Sequence, residues 1–187
     1  MFVLSIVGAI IIGYLCKGQL SNLRFVQIKG IAFIFASFIV EWIAKILLNQ
    51  NMIELGNVSW SLHLFTYILL GIMIIKNWEK GSIKLIGIGT LLNALVIFSN
   101  NGIMPVGTWA MERLGIPEGA TLQGMYLVMH DQMHFKILAD ILPIRIMNRG
   151  FILSIGDLFL IAGIMIIIIY GMKKETCRNY SSTGFPS

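Results

Sequence analysis

The sequence predicts an all-α protein, a polytopic membrane helix bundle of about five transmembrane helices capped by an outer amphipathic helical segment. Three observations carry this expectation. Hydrophobic residues make up 57% of the 187 positions and charged residues 12%, more apolar than soluble domains are. Five apolar runs approach the roughly 20 residues that a helix needs to cross about 30 Å of hydrocarbon. Lys and Arg gather in alternate connections between these runs, as they do in cytoplasmic loops.

The runs are Met1–Cys16, Gly30–Leu48, Val58–Ile75, Ile83–Phe98 and Phe151–Met172. The first lacks a basic leading stretch and a small-residue cleavage site, so it reads as a retained helix and not a signal peptide. Lys17, Arg24 and Lys29 follow it; Lys76, Lys80 and Lys84 surround the turn after the third run; Lys173, Lys174 and Arg178 follow the fifth. The connection Asn49–Asn57 holds no Lys or Arg. This alternation places the amino terminus outside and the carboxy terminus in the cytoplasm of a multi-pass protein in the cell membrane. Residues 1–175 then form one domain and 176–187 a cytoplasmic tail. The net charge of +5 is a topology signal, since no basic-aromatic stripe for nucleic acid accompanies it. Cys16 and Cys177, far apart in the chain, support neither a disulfide framework nor a cysteine metal site.

Residues 99–150 are too long and too apolar for a plain loop, and read as a re-entrant or interfacial segment over the outer face. Asn100-Asn101-Gly102 ends the fourth helix as a turn, and Met104-Pro105-Val106 continues extended. Thr108–Leu114 reads as a short interfacial helix with Trp109 at headgroup level. Residues 115–119 form a turn, and Thr121–Leu142 a longer helix ended near Pro143.

The few polar residues within the runs fall toward the outer side. Asp157 lies roughly 9 Å into the last run at 1.5 Å per residue, where an unpaired carboxylate is costly. Glu41 and Lys45, four apart on one helix face, form either an ion pair with Lys45 reaching outward or part of a site. His63 is a packing residue or a ligand, and Asn93 an interhelical bond or a contact to a bound molecule. With Asn101 and Ser154 these outline a pocket open to the outside, under the capping segment.

Met129-His130-Asp131-Gln132-Met133-His134 repeats Met-His at the four-residue spacing that aligns side chains on one helix face. Such a pair binds metal, and the thioethers of Met129 and Met133 favour reduced copper. The spacing of His130 and His134 also matches zinc peptidase helices, with Asp in place of Glu after the first His and no third ligand identifiable. A wet-faced interfacial helix accounts for the same residues.

Asn93-Ala94-Leu95-Val96, Asn101-Gly102-Ile103-Met104-Pro105-Val106, Asp140 before Pro143, and Ser154-Ile155-Gly156-Asp157 together resemble a family of small uncharacterised bacterial integral membrane proteins, a domain of unknown function. The resemblance implies a polytopic helical bundle and no activity. The last run is also similar to that of signal peptidase II, with Ser154, Gly156, Asp157 and Gly163 at its motif positions. Asp140 then stands for the partner aspartate, without the flanking Asn and Arg of that enzyme. That likeness implies an intramembrane aspartyl hydrolase in which one carboxyl of Asp140 and Asp157 stays protonated while the other activates water.

The function expected first is therefore a binding or accessory role for a lipid or small ligand, within a homo-oligomer or beside partner membrane proteins, with no cofactor required. Hydrolysis by Asp140 and Asp157, and copper or zinc binding at His130 and His134, are the alternatives.

Overall fold

The computed structural model describes residues 1–50, 57–117 and 126–182, with backbone alone at 45, 48, 49, 57–59 and 174–182. The chain is mostly helical. In order it forms α1 (Phe2–Leu15), a 3-10 turn at Leu20–Phe25, α2 (Ile31–Asn49), α3 (Asn57–Lys76), α4 (Gly81–Ser99), β1 (Met104–Val106), α5 (Thr108–Leu114), β2 (Tyr126–Val128), a 3-10 turn at Lys136–Leu138, β3 (Leu142–Ile146), β4 (Arg149–Leu153) and α6 (Ile155–Ser182). α6 packs along α4 and α1, and α2 pairs with α3.

Among the described residues, two helices are long and apolar enough to cross a membrane, Gly81–Ser99 and Ile155–Lys173. The expected five spans thus reduce to two by this measure. The other apolar helices, Phe2–Leu15, Ile31–Ala44 and Trp60–Lys76, are shorter; the 14 residues of α1 rise about 21 Å. α1 stops because Gly18 N–H turns back to Gly13 O. The apolar side chains face outward to an unusual degree, with Val3, Leu15, Phe35, Phe38, Trp42, Ile75 and Leu91 more than half exposed. Of the α6 span, 22% is buried, against 44% of the α4 span.

α4 and α6 approach closely through glycines. A Cβ on Gly89 would fall 2.5 Å from Gly156 O, and one on Gly163 would fall 2.7 Å from Ser82 O. Small residues at these positions let the backbones meet, as in membrane helix pairs generally. Because Gly163 already faces Ser82 and Ile86, α6 runs on past the start of α4. Near its far end Met172 fills the space beside Gly13 and Gly18 of the first helix and its turn, and Asn22 Nδ2 donates to Met172 O at 2.7 Å.

The segment 99–150 keeps part of its expected form. α4 ends at Asn100-Asn101-Gly102, with Asn101 at φ 55° and Gly102 at φ 80°. Met104–Val106 is a strand, and Thr108–Leu114 a helix closed by Gly115 at φ 73°. The expected helix over Thr121–Leu142 is corrected: residues 118–125 lie outside the described residues, and 126–142 hold a strand, turns and the start of a second strand. β1 pairs in parallel with β2, which satisfies its backbone groups between strands and not along a helix. The all-α expectation is amended accordingly, because β3 and β4 form an antiparallel hairpin, Leu142 facing Leu153 and Ile146 facing Arg149. Pro143 sits within β3 instead of ending a helix.

That hairpin turns on Met147 and Asn148, with Met147 at φ 53° and 89% exposed. A left-handed backbone costs a side chain about 1–2 kcal/mol, more than glycine's entropic penalty of about 0.5–1 kcal/mol. Met147→Gly is expected to raise the melting temperature slightly, and a fall in a thermal scan would show that the side chain stabilises the turn.

Candidate functional site

Asp157 does not lie a turn and a half into its helix as expected. β4 consumes residues 149–153, so α6 starts at Ile155 and Asp157 sits in its first turn. Ser154 precedes the helix and forms a capping box with it: Asp157 N–H donates to Ser154 Oγ at 2.9 Å, and Ser154 N–H donates to Asp157 Oδ2 at 3.3 Å. Two backbone N–H groups that a helix start leaves unpaired are thereby satisfied. A carboxylate there also meets the positive end of the helix dipole.

Asn93 of α4 completes the arrangement. Its Nδ2 donates to Asp157 Oδ1 at 3.0 Å, and its Oδ1 accepts from Ser154 Oγ at 2.8 Å. The approach requires Gly156, since a Cβ there would stand 2.0 Å from Asn93 Oδ1. Asn93 and Ser154 are buried. Ser154, Asn93 and Asp157 therefore pin the carboxy-terminal half of α4 to the start of α6, and both Asp157 oxygens are occupied in doing so.

Asp140 is held differently. Its N–H donates to Pro105 O and its carbonyl accepts from Gly107 N–H, extending the sheet beside β1, while Ile141 N–H donates to Leu153 O. The backbone is fixed on both sides and the side chain is 7% exposed. Its Oδ1 is buried without a hydrogen-bond partner among the described residues. Burial, and then the charge of Asp157, push the Asp140 carboxyl up to about 8. The charge of Asp157 thus reaches Asp140.

The acidic groups extend to α2 and α3. His63 Nδ1 lies 3.2 Å from Glu41 Oε1, off the line of a directed hydrogen bond. The charges of Glu41, Asp140 and Asp157 all reach the phenol of Tyr67, and also that of Tyr126 on β2. Tyr67 stacks edge-on with Phe98 at 5.5 Å. Neither tyrosine was singled out in the sequence; the signal for Tyr67 is its place four residues after His63, on the same face of α3. The side chain of Lys45, the expected partner of Glu41, lies outside the described residues.

Other candidates separate from this cluster. Asn101 is exposed on its left-handed turn. Its neighbour Asn100 is buried, accepts from His134 N–H at 2.9 Å and donates to Val96 O and His134 O, which anchors residues 129–135 to α4. His130 and His134 lie on an irregular loop, not a helix, and both are exposed, whereas Met129 and Met133 turn inward. Among the described residues no group of three or more His, Cys, Asp or Glu is arranged to hold a metal ion. A cavity of about 650 Å³ beside Trp109, Met111 and Val128 and a larger one at the opposite end of the molecule are both lined by other residues.

Comparison with known proteins brings in no activity. The DUF5317 family, described as a family of unknown function, matches residues 25–169, a span containing every residue of the acidic cluster. An uncharacterised protein of Thermotoga maritima is 25% identical over 112 residues, which cover 59% of this chain and 64% of that protein's length. No solved structure matches.

Proposed function

We propose, on the premise that the chain belongs to DUF5317 and inherits no activity from that family, that it is a multi-pass membrane binding protein. Its site lies at the outer ends of its helices, and the ligand is a primary ammonium borne by a lipid headgroup or small amphiphile. The single observation that carries this reading is the buried Asp140 Oδ1 without a partner among the described residues, within reach of the Asp157 charge. A buried carboxyl oxygen left unpaired is costly, and an N–H donor with a positive charge satisfies both the bond and the acidic surroundings. The outward-facing apolar side chains support insertion of the shorter helices beside the two long ones. The basic residues Lys17, Arg24, Lys29, Lys76, Lys80 and Lys173 support an outside amino terminus and a cytoplasmic carboxy terminus.

An ammonium beside Asp140 stabilises the ionised carboxylate, so binding at neutral pH releases a proton. Calorimetric titration of the detergent-solubilised protein with n-hexylammonium, in buffers of differing ionisation enthalpy, is expected to show that release. Affinity should fall at least tenfold for hexyltrimethylammonium, which has no N–H, and for Asp140→Asn. Equal binding of the two amines, or wild-type affinity in the variant, rejects the reading.

The second reading, hydrolysis by an Asp140 and Asp157 pair, draws on their mutual electrostatic reach. It is the weaker one because Asn93 and Ser154 occupy both Asp157 oxygens, where a hydrolase needs room for water. Copper or zinc at His130 and His134 draws on the sequence spacing alone.

A further inference from the structure

At the opposite end of the molecule, α6 continues past the start of α4 and leaves a groove of about 1130 Å³. Residues 25–29 form one side, 79–83 another, and Ile166, Ile167, Tyr170, Gly171 and Lys173 the third. The floor is apolar. Ile83 is 1% exposed and packs with Met73 and Ile74, with Ile28 and Ile167 against them.

The rim carries Lys29, Lys80 and Lys173 against one acid, Glu79. Glu79 meets Lys29 at 3.6 Å where both side chains are largely exposed, so it screens only one of the three cations, and weakly. Lys80 Nζ is held over the groove by the carbonyl of Gln27 and by Asn77 Oδ1. Asn77 is itself fully buried, donating to Lys29 O and Met73 O and accepting from Lys29 N–H. Lys80 is therefore fixed at the rim, and Asn77 fixes the backbone of Lys29 beside it. It also lies where the α4 span begins and the α6 span ends, with apolar side chains toward the membrane interior.

We propose that this groove binds an anionic phospholipid of the cytoplasmic leaflet, with its phosphate among Lys29, Lys80 and Lys173 and an acyl chain along Ile166 and Tyr170. A cationic rim over an apolar floor at headgroup depth is complementary to that molecule, and basic pockets between membrane helices on the cytoplasmic side take such headgroups. The proposal rests on the membrane reading above, and is independent of the ammonium site.

The test uses the full chain in nanodiscs of phosphatidylcholine, with or without 20 mol% phosphatidylglycerol. Thermal unfolding and native mass spectrometry read stabilisation and retained lipid. Phosphatidylglycerol is expected to raise the melting temperature and to be retained at least fivefold over phosphatidylcholine. Lys29→Gln/Lys173→Gln should abolish that preference, and Lys17→Gln/Lys84→Gln, with the same charge change outside the groove, should keep it. Ile166→Trp, which fills the groove while leaving every charge, should also abolish it. Equal retention of both lipids, loss in the Lys17/Lys84 control, preference intact in both groove variants, or the same stabilisation by millimolar inorganic phosphate would each overturn the proposal. If the chain is instead stripped from native membranes by alkaline carbonate, the membrane reading itself fails; firm retention with indifference to phosphatidylglycerol defeats the groove alone.

Discussion

Gly156→Ala is expected to destabilise the protein by on the order of 3 kcal/mol or more, seen as a collapse of folded yield or a melting temperature lowered by many degrees in detergent. A Cβ at that position would stand 2.0 Å from Asn93 Oδ1 and 2.8 Å from the Gly89 carbonyl. The second neighbour is backbone, so relief requires α4 and α6 to separate. Overpacking alone costs about 1–3 kcal/mol. Moving Asn93 aside also breaks its bonds to Asp157 and Ser154, which adds about 1–3 kcal/mol for buried groups left unsatisfied. Gly71→Ala and Gly8→Ala are the controls, since an added Cβ meets nothing within 4 Å at either site. If all three variants melt alike, the close helix contact is wrong.

Asp140→Asn is expected to stabilise the protein at pH 8 by a few kcal/mol and to leave it nearly unchanged at pH 4. The carboxyl is raised from 3.8 to about 8 by burial, and further by the charge of Asp157. Between those two values the folded state holds a proton that the unfolded state has lost. Stability therefore falls as pH rises from about 4 to about 8 and levels off above that. The neutral amide does not titrate, so the variant should lack this slope. Chemical or thermal unfolding across pH 4–9 reads it, and parallel curves for the two proteins would show that Asp140 does not govern the dependence. Stabilisation together with the loss of ammonium binding expected for this variant would mark a group kept at a cost in stability.

The helical part of the fold is legible in the sequence because α1, α2, α3, α4 and α6 each fall on one of the long apolar runs. The chain from Asn100 to Leu114 was legible for a different reason. Asn101, Gly102, Pro105 and Gly115 each restrict the backbone locally, and α5 appears at the expected residues. The stretch from Tyr126 to Leu153 was misread where pairing between distant residues decides the structure. Leu127 and Leu142 belong to strands because Pro105 and Leu153 stand opposite them, partners that no local spacing reveals. The same error misplaced Asp157. Once β4 takes residues 149–153, Ser154-x-x-Asp157 is a capping pattern ahead of an apolar run, a signal present in the sequence but passed over in favour of a buried catalytic acid. Asp140 owes its burial to the same distant pairings, since its backbone is bonded to Pro105 and Gly107 and the next residue to Leu153.

The hydrogen bonds of Asn77 bear on how the acidic cluster could change shape. They tie the end of α3 to the backbone just ahead of α2, so the two paired helices are fixed to each other at the end away from the acidic cluster. Glu41, His63 and Tyr67 ride on that pair, while Asp140, Asp157 and Tyr126 belong to the part locked together by Asn93, Ser154 and the strands. His63 lies 14 residues from Asn77, a lever of roughly 21 Å at 1.5 Å per residue, so a swing of about 5° carries it roughly 2 Å. What holds that lever still is the edge-on packing of Trp60 and Tyr67 of α3 on Phe98 of α4, so one aromatic ring keeps the two halves of the cluster in register.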